Sequence, residues 1–304
     1  MLEGMKICSF LPSATEVLYA LGADGDLAGV TFECDFPPQA AKHPVLVRPL
    51  VESTLSPQEI DDEVRRYAAE GNSLYLLDMD GLLAIQPDLI ITQDLCKVCA
   101  VNGGDLEKAI CGLASAPEVL SLTPHTLNDV FDDVVRVGKA TGRIAEAERL
   151  VTGLRDRVKA VRQARRDAAR PRVLCLEWLS PPFQGGHWIP EMVSLAGGDP
   201  VLATAGEKSV RLEWQQILEV DPEVLVVMPC GFGLDAAVSQ YRETDFPPEW
   251  SNISAVRSGR VYAVDGNAYF SRPGPRLVDG LEILDAVVRE SSFEDLPVKS
   301  VARL

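Results

Sequence analysis

The sequence predicts an α/β protein of two similar lobes bridged by a single long helix, and three observations predict it. Strand patterns alternate with helix patterns in both halves, which gives a mainly parallel sheet covered on both faces. The phrase Leu82-Leu83-Ala84-Ile85-Gln86-Pro87-Asp88-Leu89-Ile90-Ile91 returns as Ile217-Leu218-Glu219-Val220-Asp221-Pro222-Glu223-Val224-Leu225-Val226, an internal repeat. Between the halves Ala147, Leu150, Val151, Leu154, Val158 and Val161 recur at helical spacing, so one core-facing helix runs from about Ile144 to Ala168. The lobes then cover residues 1–125 and 170–304, with 126–169 as the helical bridge.

In the first lobe Ile7-Cys8-Ser9-Phe10-Leu11 is a strand, and Ser13-Ala14-Thr15-Glu16 reads as a capping box for a helix that Gly22 ends. Val30-Thr31-Phe32-Glu33 is a second strand, running into Cys34-Asp35-Phe36-Pro37. Ser56-Pro57-Gln58-Glu59 repeats the capping logic, with proline at the first helical position and Ile60, Val64, Tyr67 and Ala68 as the apolar face. Leu74–Leu77 is a strand, Gly81–Ile85 a short helix, Pro87–Thr92 a buried strand and Val119–Leu122 the last strand of this half. Thr126 and Asp129 cap a helix that buries Leu127, Val130, Phe131 and Val134, with Gly138 and Gly142 marking its end. The run Arg162-Gln163-Ala164-Arg165-Arg166 suits the solvated last turn of the long helix, where the dipole favours cations. After Pro171 come strand Arg172–Leu176, a Pro/Gly-rich loop Ser180–Gly186 and helix Pro190–Ala196, closed by Gly197-Gly198. The second lobe continues with a helix around Gln215–Leu218 and strands Val224–Met228 and Val261–Val264. Loop Asp265–Pro275 then leads to a final helix from Arg276.

Lys and Arg number 29 against 45 Asp and Glu, a net charge of −16, which repels nucleic acid and anionic membrane and favours a neutral or cationic ligand. No run approaches the about 18 apolar residues of a membrane span. Met1–Lys6 lead into a strand without the basic region, apolar run and cleavage site of a secretory signal, so a cytoplasmic protein without membrane insertion is expected. Seven cysteines, an odd number in a reducing compartment, argue against a disulfide framework.

Four of those cysteines fall just past strand ends, where ligands sit in open α/β sheets. They are Cys34, Cys96 and Cys99 in Gln93-Asp94-Leu95-Cys96-Lys97-Val98-Cys99, and Cys230 in Pro229-Cys230-Gly231-Phe232. Thiolates are soft donors for zinc, copper(I) or an iron–sulfur cluster, so the four make a candidate metal set. A CxxC beside Asp35 and Asp94 could instead support thiol redox or nucleophilic chemistry. The plain alternative is that Cys is a small, usually buried hydrophobe, the reading given to Cys8, Cys111 and Cys175. Neither a Ser-His-Asp order nor a phosphate-cradling glycine motif is evident, which favours a binding protein over an enzyme.

Leu11-Pro12-Ser13-Ala14-Thr15-Glu16, the two helix-then-Pro-Asp/Glu strands, Pro181-Pro182-Phe183 followed by Glu191–Gly198, and Tyr269-Phe270-Ser271-Arg272-Pro273-Gly274-Pro275-Arg276 together span nearly the whole chain. In these the chain resembles the cobalamin and iron-siderophore binding proteins that feed bacterial ABC importers. The resemblance implies the class III solute-binding fold: two Rossmann-like lobes, one rigid bridging helix, a cleft between lobes and little hinge motion. Cys34-Asp35-Phe36-Pro37, Gln93-x-x-Cys96-x-x-Cys99-Ala100 and Pro229-Cys230-Gly231-Phe232 are similar to a branch without a signal peptide, assigned to cobalamin binding. Importer-linked members dock on permease arginines through one acid per lobe, seven residues before the repeat proline. Asp80 and Gln215 hold those positions here, so one charge-assisted contact is lost and permease docking is in doubt.

Placed on that cleft, the strand ends gather Ser13, Thr15, Cys34, Asp35, Asp94, Cys96 and Cys99 with Glu177, Trp178, Phe183, His187, Trp188, Cys230, Tyr269, Phe270 and Arg272. Aromatics facing polar groups suit a large flat ligand, and the resemblance points to cobalamin, another corrinoid or a related metal chelate. Loop packing remains open for Trp178, Trp188 and Phe183, and a helix cap for Ser13. A thiolate, His187 or His125 could be an axial ligand to the metal of such a macrocycle. The competing reading is a cysteine-ligated zinc or iron–sulfur protein, with redox or thiol-dependent catalysis on the same fold.

Overall fold

Ile7, Cys8 and Ser9 are fully buried and form β1 (Ile7–Ser9), the strand from which the first sheet is built. The computed structural model describes residues 4–51, 55–70, 72–93, 106, 109–163, 170–294, 296–297 and 300–304. It divides into two units, Met1–Pro124 with Phe131–Val151, and His125–Val130 with Thr152–Leu304. In the first, β2 (Leu27–Thr31) and β5 (Leu89–Gln93) flank β1 in parallel. With β3 (Val45–Pro49), β4 (Tyr75–Leu77) and β6 (Glu118–Leu122) the order is β4-β3-β2-β1-β5-β6, antiparallel only at β3–β4. The chain steps outward to β4 and returns to β5 on the other side of β1, so the carboxyl ends of β1 and β5 flank a topological switch point.

Helices α1 (Pro12–Ala20), α2 (Pro57–Glu70) and α3 (Met79–Ile85) belong to this unit. The cap expected at Ser13 is not there. α1 starts at Pro12, whose fixed φ suits the first helical position, with Leu11 as N-cap and no side-chain cap; Ser13 lies inside the first turn, buried. The cap expected at Ser56 is present, with its backbone N–H donating to Glu59 Oε2 over 2.8 Å. β2 stops at Thr31, short of Phe32 and Glu33.

α4 (Leu127–Ala140) opens as expected, Thr126 N–H donating to Asp129 Oδ2 over 2.9 Å and Asp129 N–H to Thr126 Oγ1 over 3.2 Å. Gly138 sits inside α4 rather than at its end. A Cβ there would lie 2.5 Å from the Ala147 Cβ, so its smallness serves helix packing. α5 (Ile144–Gln163) is the long helix, 20 residues with Ala147, Val151, Leu154 and Val161 buried; its residues are shared between the two units.

In the second unit β7 (Arg172–Leu179), β10 (Val224–Val227) and β11 (Val261–Val264) run parallel. β8 (Pro182–Gln184) folds back on β7, β9 (Asp199–Pro200) pairs with β7, and β12 (Val301–Arg303) closes the far edge against β11. The helices are α6 (Ile189–Leu195), α7 (Trp214–Val220), α8 (Leu234–Glu243), α9 (Ser254–Arg257), α10 (Gly266–Tyr269) and α11 (Leu277–Arg289). The expected loops Ser180–Gly186 and Asp265–Pro275 therefore contain β8 and α10.

The internal repeat has a physical cause. α3 and α7 each end on a residue in the left-handed region, Gln86 at φ 51° and Asp221 at φ 44°, before Pro and an acid. Asp88 Oδ2 then accepts the Lys6 N–H over 2.8 Å, and Glu223 Oε2 the Arg172 N–H over 2.9 Å. In return Asp88 N–H donates to Lys6 O and Glu223 N–H to Arg172 O, both over 2.9 Å. Each clasp fixes where the first strand of its unit begins.

Candidate functional site

In the second unit the carboxyl ends of β7 and β10 are tied by Cys230 N–H donating to Glu177 O over 3.0 Å. Trp178 lies opposite Phe183 in the β7–β8 hairpin and donates its indole N–H to Ser180 O over 3.1 Å. Its ring meets Phe232 edge-on, with centroids 5.6 Å apart at 62°. Phe232 is carried by the turn after β10, where a Cβ on Gly266 would lie 2.4 Å from Pro229 O; only glycine permits that approach. Glu177, Trp178, Phe183 and Phe232 are half-buried and Cys230 is exposed. An aromatic surface results, at the strand ends where such sheets bind ligands. Tyr269 is half-buried; burial raises its phenol above the ordinary value, the Arg276 guanidinium 5.8 Å from the ring opposing this.

Three residues expected at the ligand surface are core residues here. Trp188 is 5% exposed and donates its indole N–H to Phe270 O over 2.9 Å; Phe270 and Arg272 are buried as well. A buried indole finds a partner for its N–H, and Phe270 O supplies it. His187 is half-buried at φ 54°, with its N–H donating to Glu207 O over 2.6 Å and its carbonyl accepting from Gly206. Its ring stands 5.9 Å from that of His125 and 5.5 Å from that of Trp188. Burial first, then the charges of His125 and Lys208, hold its pKa below the usual imidazole value.

In the first unit Thr15 is fully buried and donates its hydroxyl to Ser9 Oγ over 2.9 Å, while Ser9 Oγ donates to Leu11 O over 3.0 Å. Cys34 Sγ lies 3.0 Å from Thr15 Oγ1. A hydroxyl has one proton, and that of Thr15 is spent on Ser9, so Cys34 must donate S–H. Cys34 is 3% exposed, whereas Asp35 beside it is exposed. Asp94, Cys96 and Cys99 lie outside the described residues. Among the described residues no group of three or more His, Cys, Asp or Glu could hold a metal ion, and Cys34 and Cys230 belong to different units. Cys8 and Cys175 are buried inside strands, where burial pushes each thiol up to about 12; Cys111 is exposed. Phe32 and Phe36, not among the expected ligand residues, are 39% and 41% exposed just past β2. Their signal was available, large apolar side chains in the same post-strand segment as Cys34.

The periplasmic binding protein family matches residues 7–268, and the chain belongs to it. An uncharacterised ABC transporter substrate-binding lipoprotein of Bacillus subtilis, YvrC, is 23% identical over 96% of this chain and 82% of its own. A vitamin B12-binding protein of Vibrio cholerae is 23% identical, over 91% of this chain and 86% of its own. Among solved structures, a periplasmic heme binding protein from Pseudomonas aeruginosa superposes with a TM-score of 0.73 at 19% identity, covering 98% of this chain and 97% of that one. That likeness shows the fold, the class III arrangement of two sheet-containing lobes.

Proposed function

We propose that this protein binds a large, flat metal chelate, a corrinoid before other tetrapyrroles, and acts as a ligand carrier or receptor rather than an enzyme. The observation that supports this most is the half-buried Trp178–Phe232 pair at the ends of β7 and β10. Aromatic rings at the rim of a sheet give a macrocycle apolar area and a specific edge or face contact, worth about 0.5–1.5 kcal/mol beyond burial. The relatives named for vitamin B12 and heme bind ligands of this size and shape. A zinc or iron–sulfur centre on the cysteines has less support, because Cys34 is buried against the Thr15 hydroxyl and no group of three or more His, Cys, Asp or Glu among the described residues could hold a metal ion. Any permease contact through the second unit would lack a charge, since the exposed Gln215 side chain is neutral and donates to Glu219.

The test is a tryptophan-fluorescence titration with hydroxocobalamin and with hemin. Saturable one-to-one binding is expected, with Trp178→Ala and Phe232→Ala each weakening it roughly tenfold, the equivalent of about 1.4 kcal/mol. Absence of saturable binding, or binding indifferent to both substitutions, would sink the reading.

A further inference from the structure

We infer that His125 and His187 form a binding site for a single divalent transition-metal ion of the zinc, nickel or copper(II) kind. The site lies within the second unit and does not rest on the ligand proposed above. The chain has three histidines, and two of them, distant in sequence, bring their rings to a centroid separation of 5.9 Å at an interplanar angle of 36°. Metal–imidazole bonds of about 2.0–2.1 Å put two rings on one ion with centres roughly 5 to 6.5 Å apart, a range that includes the observed separation. The second observation is an orphan: His187 Nε2 is buried and has no hydrogen-bond partner among the described residues. Buried polar atoms are nearly always bonded, so this nitrogen is open to a further partner, and a metal ion is one that a neutral imidazole takes.

The backbone that carries each ring is held in place before any ion arrives. The backbone of His187 is pinned by Glu207 O and by the Gly206 N–H, and Gly186 lets the 207–209 segment pass where a Cβ would meet Ser209 N at 2.3 Å. His125 N–H donates to Asp129 Oδ2 over 3.0 Å, at the start of α4. Trp188 lies 5.5 Å from His187, fixed by its bond to Phe270 O. The nearby carboxylates have other work: Asp129 caps α4, and Glu191 accepts the Leu127 N–H over 2.9 Å. The protein therefore offers two imidazole nitrogens, and water or a donor atom of another molecule completes the shell. Imidazole donors select zinc, copper(II) and nickel over magnesium and calcium. The charge of Lys208 is felt at His187 and opposes a cation, so its removal should tighten binding.

The experiment titrates the full chain with ZnCl2 by calorimetry and with CuCl2 or NiCl2 by tryptophan fluorescence, in a Cys96→Ser, Cys99→Ser background. One ion per chain is expected, with quenching by copper(II). His125→Asn and His187→Asn should each weaken binding at least tenfold, His43→Asn should leave it unchanged, and Lys208→Gln should tighten it severalfold. Trp188→Phe should lose most of the quenching and keep the calorimetric binding. Copper(II) electron paramagnetic resonance of the background protein, which needs no histidine variant to fold, should show hyperfine coupling from two imidazole nitrogens. No binding up to 1 mM of any of the three ions, about 4 kcal/mol at most, would overturn the site. So would a copper signal without nitrogen coupling, or binding that survives both histidine substitutions.

Discussion

Thr15 Oγ1 stands 3.0 Å from Cys34 Sγ, within a proton chain that runs Cys34 to Thr15 to Ser9 and ends on the carbonyl of Leu11. A carbonyl only accepts, so the direction of every donor upstream is fixed and the thiol donates to Thr15. Thr15→Val removes the hydroxyl that accepts from Cys34 and donates to Ser9. An expected loss of about 1–3 kcal/mol in urea unfolding follows, the cost of a buried polar group deprived of its partner. Cys34→Ser restores a donor of the same valence and should cost less than Thr15→Val. The opposite ranking would show that the chain does not run in this direction.

The same geometry orders the thiols by reactivity. With Cys96 and Cys99 changed to serine, the native protein should label quickly at Cys111 and Cys230, which are exposed. Cys8, Cys34 and Cys175 should label only at the rate of unfolding, because they are buried and reagents attack the thiolate. Mass spectrometry of a timed labelling series reads this directly, and labelling of Cys34 as fast as Cys230 would contradict it.

Asp88 and Glu223 explain how much of this fold could be read in advance. Each accepts the N–H that begins the first strand of its unit, and the helix–Pro–acid–strand phrase around each was visible as a repeat because the same clasp needs the same residues. The long apolar stripe of α5 was legible for the same reason: twenty residues of constant period leave no rival reading. β8 and β12, three residues each, were not, since a strand that short carries no period and is defined by the partner it pairs with. The site was legible only in outline. Trp178 and Trp188 are the same residue type on neighbouring segments. One is half-buried at a strand end and the other buried against Phe270, a difference made by tertiary packing that no local pattern encodes.

Arg157 anchors the C-terminal half of α5 to α11. Its guanidinium forks onto Glu282, Nε donating over 2.9 Å and Nη2 over 2.7 Å, and also reaches Asp279. These carboxylates, Glu282 first, hold the guanidinium pKa well above its ordinary value. Two-pronged contacts of this kind exceed ordinary surface pairs, but Arg157 and Glu282 are 39% and 37% exposed, so water and salt screen much of the gain. Arg157→Met, which keeps the apolar stem, should cost about 1 kcal/mol in low salt and visibly less in 1 M NaCl, read by urea unfolding. A loss unchanged by salt would mean that packing, not charge, holds the helix.

The last prediction concerns acid. Asp221 accepts the Ser254 N–H and the Ser254 hydroxyl, each over 2.7 Å. Those two bonds, helped by the charges of Arg172 and Arg257 and opposed by slight burial, hold its carboxyl below the usual carboxylate range. The sign follows from proton counting: as pH falls through the ordinary aspartate value, about 3.9, the unfolded chain takes up the proton first. The stabilisation is therefore complete at neutral pH and is lost as the pH drops toward the folded pKa. Asp221→Asn keeps an amide oxygen for Ser254, and asparagine tolerates the φ of 44° at this position, so the substitution removes the charge with little backbone penalty. At pH 7 the variant should be less stable by about 1 kcal/mol, a figure already reduced for the 43% exposure of the side chain. Near pH 3 the gap should narrow, because the wild-type carboxylate is then losing its advantage while the amide has nothing to titrate. Urea midpoints at the two pH values measure this, and a gap that widens in acid would mean that the folded carboxyl titrates above the unfolded one.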